Sequence, residues 1–292
     1  MAEQQQSYYV PPSSIWPIVG ALGLGLIAWG AAHTVIEATS DTQGWGSHVL
    51  FAGFGVIAVM LFGWFRDQIN ETMSGLHSDQ LDTSYKQGMS WFIFSEVMFF
   101  AAFFGALFYA RMISVPWLGG ASNNAMTNDV LWPAFEAMWP LVTTPGGTTT
   151  QEMSAAGLPT INTIILLISS VTLHFAHVGL EQNKRKQLTV MLGVTILLGL
   201  GFLTLQVEEY IHAYQELGLT LQSGVYGNTF FMLTGFHGMH VTLGTIILIV
   251  LFLRVLKGHF TPKSHFAFQA GSWYWHFVDV VWVMLYLFVY VL

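Results

Sequence analysis

The chain has 292 residues, of which 53% are hydrophobic and only 9% charged, with a formal net charge of −7. Soluble domains carry about 25% charged residues, so this composition excludes an ordinary soluble domain and predicts a membrane protein, with no nucleic-acid partner expected. No cysteine is present, which removes disulfides, thiolate metal sites and cysteine nucleophiles from consideration.

Residues 1–15 form a tail without Lys or Arg, so a cleaved signal peptide is not expected. Seven apolar stretches follow, at 16–37, 47–65, 89–113, 158–180, 188–211, 227–253 and 266–291. A helix needs roughly 20 apolar residues to cross a ~30 Å hydrocarbon core, so each stretch is predicted to span a bilayer. In the first span Gly20, Gly23 and Gly25 would let a neighbouring backbone approach closely. The second ends on Trp64, an interfacial residue type, just before Arg66 and Asp67. Spans one and two (16–68) read as a helix pair, 69–88 as a polar connector, and 89–292 as a five-helix bundle. The long outer loop, 114–157, contains "LWPAFEAMWP" at 131–140, which is expected to lie along the membrane interface.

The nine basic residues set the orientation. Arg66 and Lys86 follow span two, Lys184, Arg185 and Lys186 follow span four, and Arg254, Lys257 and Lys263 follow span six. Only Arg111 falls on the other side. This positive-inside bias places the N-terminus in the cytoplasm and the C-terminus outside.

Polar residues inside the spans are few. Glu96 stands in the middle of the third span, ~12 Å of helix rise beyond Gly88. An acid there costs on the order of 2.5–3.5 kcal/mol to insert, so it needs a reason. A proton-relay acid, an ion-pathway ligand and a side chain meeting lipid headgroups or a partner are all open. Ser90 and Ser95 are the only nearby hydroxyls on its own span. Span four carries His174 and His177. Span five ends in "QVEEYIHAY", where Glu208 and His212 stand at i, i+4 and can pair. His237 and His240 in span six, and His276 and Asp279 in span seven, stand at i, i+3, with Trp275, Asp279 and Trp282 on one stripe. These groups could ligate a haem or a metal, or hydrogen-bond helix to helix; the second reading is preferred, since intramembrane polar groups commonly serve as packing contacts. The carboxylate and ExxH pattern of di-iron bundles is absent, as are GxSxG, P-loop, GxGxxG and HExxH sequences. No metal is expected in this chain.

Five segments carry a resemblance. "WPIVGAL" (16–22), "WFRDQINE" (64–71), "FIFSEVMFF" (92–100), "VYGNTFFMLTGFHGMHVTLG" (225–244) and "WYWHFVDVVWVMLY" (273–286) resemble subunit III of aa3-type cytochrome c oxidases, in its bacterial form. The blocks occur in order from the first span to the C-terminus and leave mainly 114–157 unmatched. The resemblance implies an all-α polytopic protein of seven transmembrane helices, a pair and a five-helix bundle enclosing a V-shaped lipid cleft. It implies a non-catalytic subunit of a proton-pumping enzyme in the bacterial inner membrane, beside subunits I and II, which hold haem a and copper. Subunit III stabilises subunit I, binds phospholipid, and supports proton uptake and durable turnover. Carried over by position, Glu96 modulates proton uptake, while Arg66, Glu71, His77, Arg254 and His259 hold phospholipid headgroups; Asn70 stands where the mitochondrial form has an arginine. An autonomous proton or ion transporter, a b-type cytochrome and the subunit III of quinol oxidases are the competing readings. "WPIVGAL" near the start favours the cytochrome c form over the quinol form.

Overall fold

The computed structural model describes residues 12–40, 42–76 and 79–292, with Asp79 by its backbone alone. Among the described residues no strand forms; a single bridge joins Thr143 and Thr149 in the outer loop. Eight α-helices follow in order: α1 (Trp16–Thr39), α2 (Gly46–Met73), α3 (Asp79–Tyr109), α4 (Val115–Leu118), α5 (Leu158–Glu181), α6 (Arg185–Gln215), α7 (Val225–Leu256) and α8 (Phe266–Leu285). Short π-helical turns at Ala110–Ser114 and Tyr286–Val291 continue α3 and α8. Among the described residues these make seven helical segments long and apolar enough to cross a membrane, the third running from α3 through the π-helical turn and α4 to Leu118.

The helices run past the apolar stretches that mark them. α2 continues to Met73 and α3 begins at Asp79, so most of the predicted connector 69–88 is helical. Polar residues at those ends keep the i→i−4 ladder intact without needing hydrocarbon around them. The segment 131–140 is a different case. A π-helical turn ends at Leu131 and irregular chain follows, because Pro133 and Pro140 deny the helix two backbone donors. The piece expected to lie along the membrane interface is therefore not a regular element.

The chain divides into two compact units, one up to Tyr85 and one from Lys86. In the first, α1 and α2 pack antiparallel at close range. A side chain on Gly30 would run into the backbone of Leu50, and a Cβ on Gly53 would lie 2.7 Å from the Ile27 nitrogen. Gly23 sits in the same seam against Ile57, whereas Gly25 meets nothing within 4 Å. Glu37 accepts the backbone N–H of Gly46 at 3.1 Å, placing a carboxylate at the positive end of α2. The other end is closed by Trp16, whose indole donates to Asp67 at 2.7 Å.

In the second unit the core lies among α5, α6, α7 and α8. Leu173, Leu192, Phe202, Phe230, Trp275 and Trp282 are fully buried there. Gly199 of α6 and Gly244 of α7 leave the room that Trp275 fills; a Cβ on either would lie 2.7 or 2.9 Å from its ring. The outer loop is tied to the α6–α7 end of this unit. Gln151 donates its backbone N–H to the Leu217 carbonyl, and the Met153 backbone N–H reaches the Tyr226 hydroxyl at 3.1 Å.

Candidate functional site

Glu96 finds its partner on another helix. Its Oε2 lies 2.9 Å from Nε2 of His240, which α7 presents to α3. The Ser90 and Ser95 hydroxyls, the only candidates on Glu96's own span, donate instead to backbone carbonyls of that helix, Lys86 and Phe92. His240 Nδ1 lies 2.6 Å from the Phe236 carbonyl. A carbonyl can only accept, so Nδ1 carries a hydrogen and, in the neutral ring, Nε2 offers a lone pair. An imidazole lone pair and a carboxylate oxygen cannot bond to one another without a proton between them. The pair therefore holds one shared proton, as carboxylic acid and imidazole or as carboxylate and imidazolium. Either form has zero net charge, which is how an acid is accommodated at this depth.

The surroundings are aromatic. Phe100 and Phe99 lie 5.0 and 6.0 Å from the His240 ring, and Tyr274 of α8 stacks on it at 6.4 Å. The Glu96 side chain remains 22% exposed and that of His240 6%, so the acid is the end of the pair open to its surroundings.

A second polar seam joins α8 to α5. Trp275 donates its indole N–H to the Ser169 hydroxyl at 2.9 Å, and Trp282 donates to Thr163 at 3.0 Å. Ser170 lies 2.7 Å from His276 Nδ1, and Asp279 approaches the same nitrogen at 3.8 Å. His237 places Nε2 3.2 Å from the Val278 carbonyl.

These seams carry three of the five sequence blocks noted above, 92–100, 225–244 and 273–286, and the comparisons agree with them. The model of the family described as "Cytochrome c oxidase subunit III" matches residues 6–292. The chain belongs to that family. Proteins named "Cytochrome c oxidase subunit 3" from Dugong dugon and Homo sapiens are each 37% identical over 296 residues, covering 99% of this chain and 98% of the relative. The one from Hippopotamus amphibius is 38% identical with the same coverage. Cytochrome c oxidase subunit III is thus the frame for the remaining residues, and its seven helices make this a multi-pass membrane protein.

The positions carried over for lipid contact fall in both units. In the first, Arg66 is exposed, and Glu71 accepts from Gln68 at 3.1 Å, which in turn accepts from Tyr85. His77 lies outside the described residues. In the second, Arg254 is buried with its guanidinium 4.5 Å above the Phe260 ring, and its Nε has no hydrogen-bond partner. His259, just beyond α7, is held below the ordinary histidine value by desolvation first and by the Arg254 and Lys257 charges next. That shift favours the neutral ring near pH 7.

One pairing expected from the sequence is corrected. His212 meets Glu216 at 3.1 Å rather than Glu208, whose side chain is exposed. The i, i+4 rule holds in both directions, and the C-terminal partner was available at the end of α6. The buried acid of "QVEEYIHAY" is Glu209, fully inaccessible, with neither oxygen hydrogen-bonded. A signal for it exists: Phe202, Gln206, Glu209 and Ala213 recur on the helical period and are all buried.

Proposed function

We propose that the chain acts as the non-catalytic subunit III of a proton-pumping cytochrome c oxidase, stabilising subunit I, binding phospholipid and supporting proton uptake. On this reading electron transfer from cytochrome c to dioxygen belongs to subunits I and II, with their haem a and copper. The chain lies in a bacterial inner membrane with its N-terminus cytoplasmic, an orientation supported by eight of its nine basic residues.

The observation that carries the proton-uptake role is the Glu96–His240 pair. It keeps one exchangeable proton in an aromatic setting, with the carboxyl end accessible. A relay acid would need an onward acceptor within hydrogen-bond reach. Among the described residues, Glu96 reaches His240, and the His240 ring is closed at its other nitrogen by a backbone carbonyl. The pair is a terminus for a proton and tunes the charge of its surroundings. Glu96→Gln in the assembled oxidase is expected to leave oxygen reduction and pumping in place and to lower the number of turnovers completed before inactivation. Loss of pumping in an intact mutant complex would make Glu96 an obligatory carrier and overturn this role. Lipid binding rests on Arg254, a buried cation with an unused donor near the end of α7, a geometry suited to a phosphate oxygen.

A further inference from the structure

The end of α5 and the start of α8 bring together three groups that the oxidase reading leaves unused. His177 and Glu181 stand one turn apart on α5, with His177 Nε2 3.8 Å from Glu181 Oε1. His265, the residue before α8, turns its ring toward them, 5.5 Å from the His177 ring between centroids. One ligand atom from each of the three lies within 4.8 Å of the others. His177 Nε2 is buried and has no hydrogen-bond partner. His265 Nδ1 lies 3.2 Å from the Thr261 carbonyl, so it carries the hydrogen and leaves Nε2 as a lone pair. This is the arrangement by which a backbone carbonyl fixes the tautomer of a metal-binding imidazole.

We propose that His177, Glu181 and His265 form a binding site for a divalent cation of the zinc class, joining the last turn of α5 to the first of α8. Two imidazoles and one carboxylate suit zinc, with a fourth position left for water. Bond lengths of about 2.0–2.2 Å place the ligands of a tetrahedral ion about 3.3 Å apart, so the group must contract by about 1.5 Å. Two of the three ligands have room to move: the Glu181 side chain is exposed and already 3.8 Å from His177 Nε2, and His265 stands on the loop just before α8 rather than inside a helix. Hard cations are disfavoured, because calcium and magnesium take oxygen ligands. The site departs from the metal-free chain expected from the sequence, where 88 positions separate His177 from His265 and hide the cluster.

Chelator-washed oxidase containing the full chain is titrated with zinc alone, and bound zinc is counted by mass spectrometry after dialysis. Wild type is expected to retain one equivalent more than His177→Ala or His265→Ala, and Glu181→Gln is expected to weaken that site about tenfold or more, the scale of losing a ligand or its support. His174→Ala, one turn back on the exposed face, should bind as wild type does. X-ray absorption of the added zinc should show two imidazole ligands. Equal zinc in wild type and all three ligand variants, or an absorption spectrum without imidazole, overturns the site. If a histidine variant fails to assemble, Glu181→Gln decides alone, since an exposed isosteric change does not threaten folding.

Discussion

An indole has one N–H and no acceptor, so burying tryptophan obliges a neighbouring helix to supply an oxygen. Trp275 and Trp282, both fully buried, obtain theirs from Ser169 and Thr163 on α5. Removing either oxygen leaves a buried donor unpaired, a loss of about 1–3 kcal/mol. Ser169→Ala and Thr163→Val are therefore expected to lower the thermal midpoint of the purified oxidase, measured by loss of subunit III from the complex. Thr204→Val is the control, as its exposed hydroxyl bonds only within α6. Single positions also show what the sequence withheld. That Glu96 needed a partner was legible from its depth, but the partner lies 144 residues away, and no local pattern points to it. Glu208 and Glu209 are adjacent and chemically identical; only the period of the buried face separates them, and pair spacing selected the wrong one.

Among the helices, α1 and α2 are held by shape along the middle of their seam and by the Trp16–Asp67 and Glu37–Gly46 hydrogen bonds at its two ends. Their seam depends on glycine at Gly30 and Gly53, where the opposing backbone occupies the space a side chain would need. Gly30→Leu is expected to destabilise the pair by about 1–3 kcal/mol through overpacking, read as faster proteolysis between the two helices. Gly25→Leu, which meets open space, should be neutral. The positions of all seven spans were legible because hydrocarbon selects long apolar runs. Their ends were not, since a helix continues into water as long as its backbone bonds are met. The glycine pattern was partly legible: Gly23 lies in the seam and Gly25 does not, a distinction set by which face the partner occupies.

Across the whole molecule, burial is uneven. Of the most apolar window in each helix, 56% is buried in α8 and only 6% in α2. The exposed apolar surface of α1, α2 and α3 requires lipid or a partner subunit to cover it. At the α7 end, Arg254 is the test position. Replacing Arg254 and His259 together by Ala is expected to reduce phospholipid retained on purification, with Arg254→Ala alone giving most of the loss because the neutral form of His259 is favoured. Unchanged lipid content by mass spectrometry would remove Arg254 from lipid binding. The Glu96–His240 pair has a consequence at this scale as well. Transmembrane voltage acts on displaced charge, at about 2.3 kcal/mol per elementary charge per 100 mV for a full crossing. A proton moving between two atoms 2.9 Å apart traverses at most about a tenth of a ~30 Å core, so the field can bias its position by only about 0.2 kcal/mol per 100 mV. An energised membrane leaves the pair's two forms in nearly the same balance as a resting one, and only exchange with the surroundings resets it.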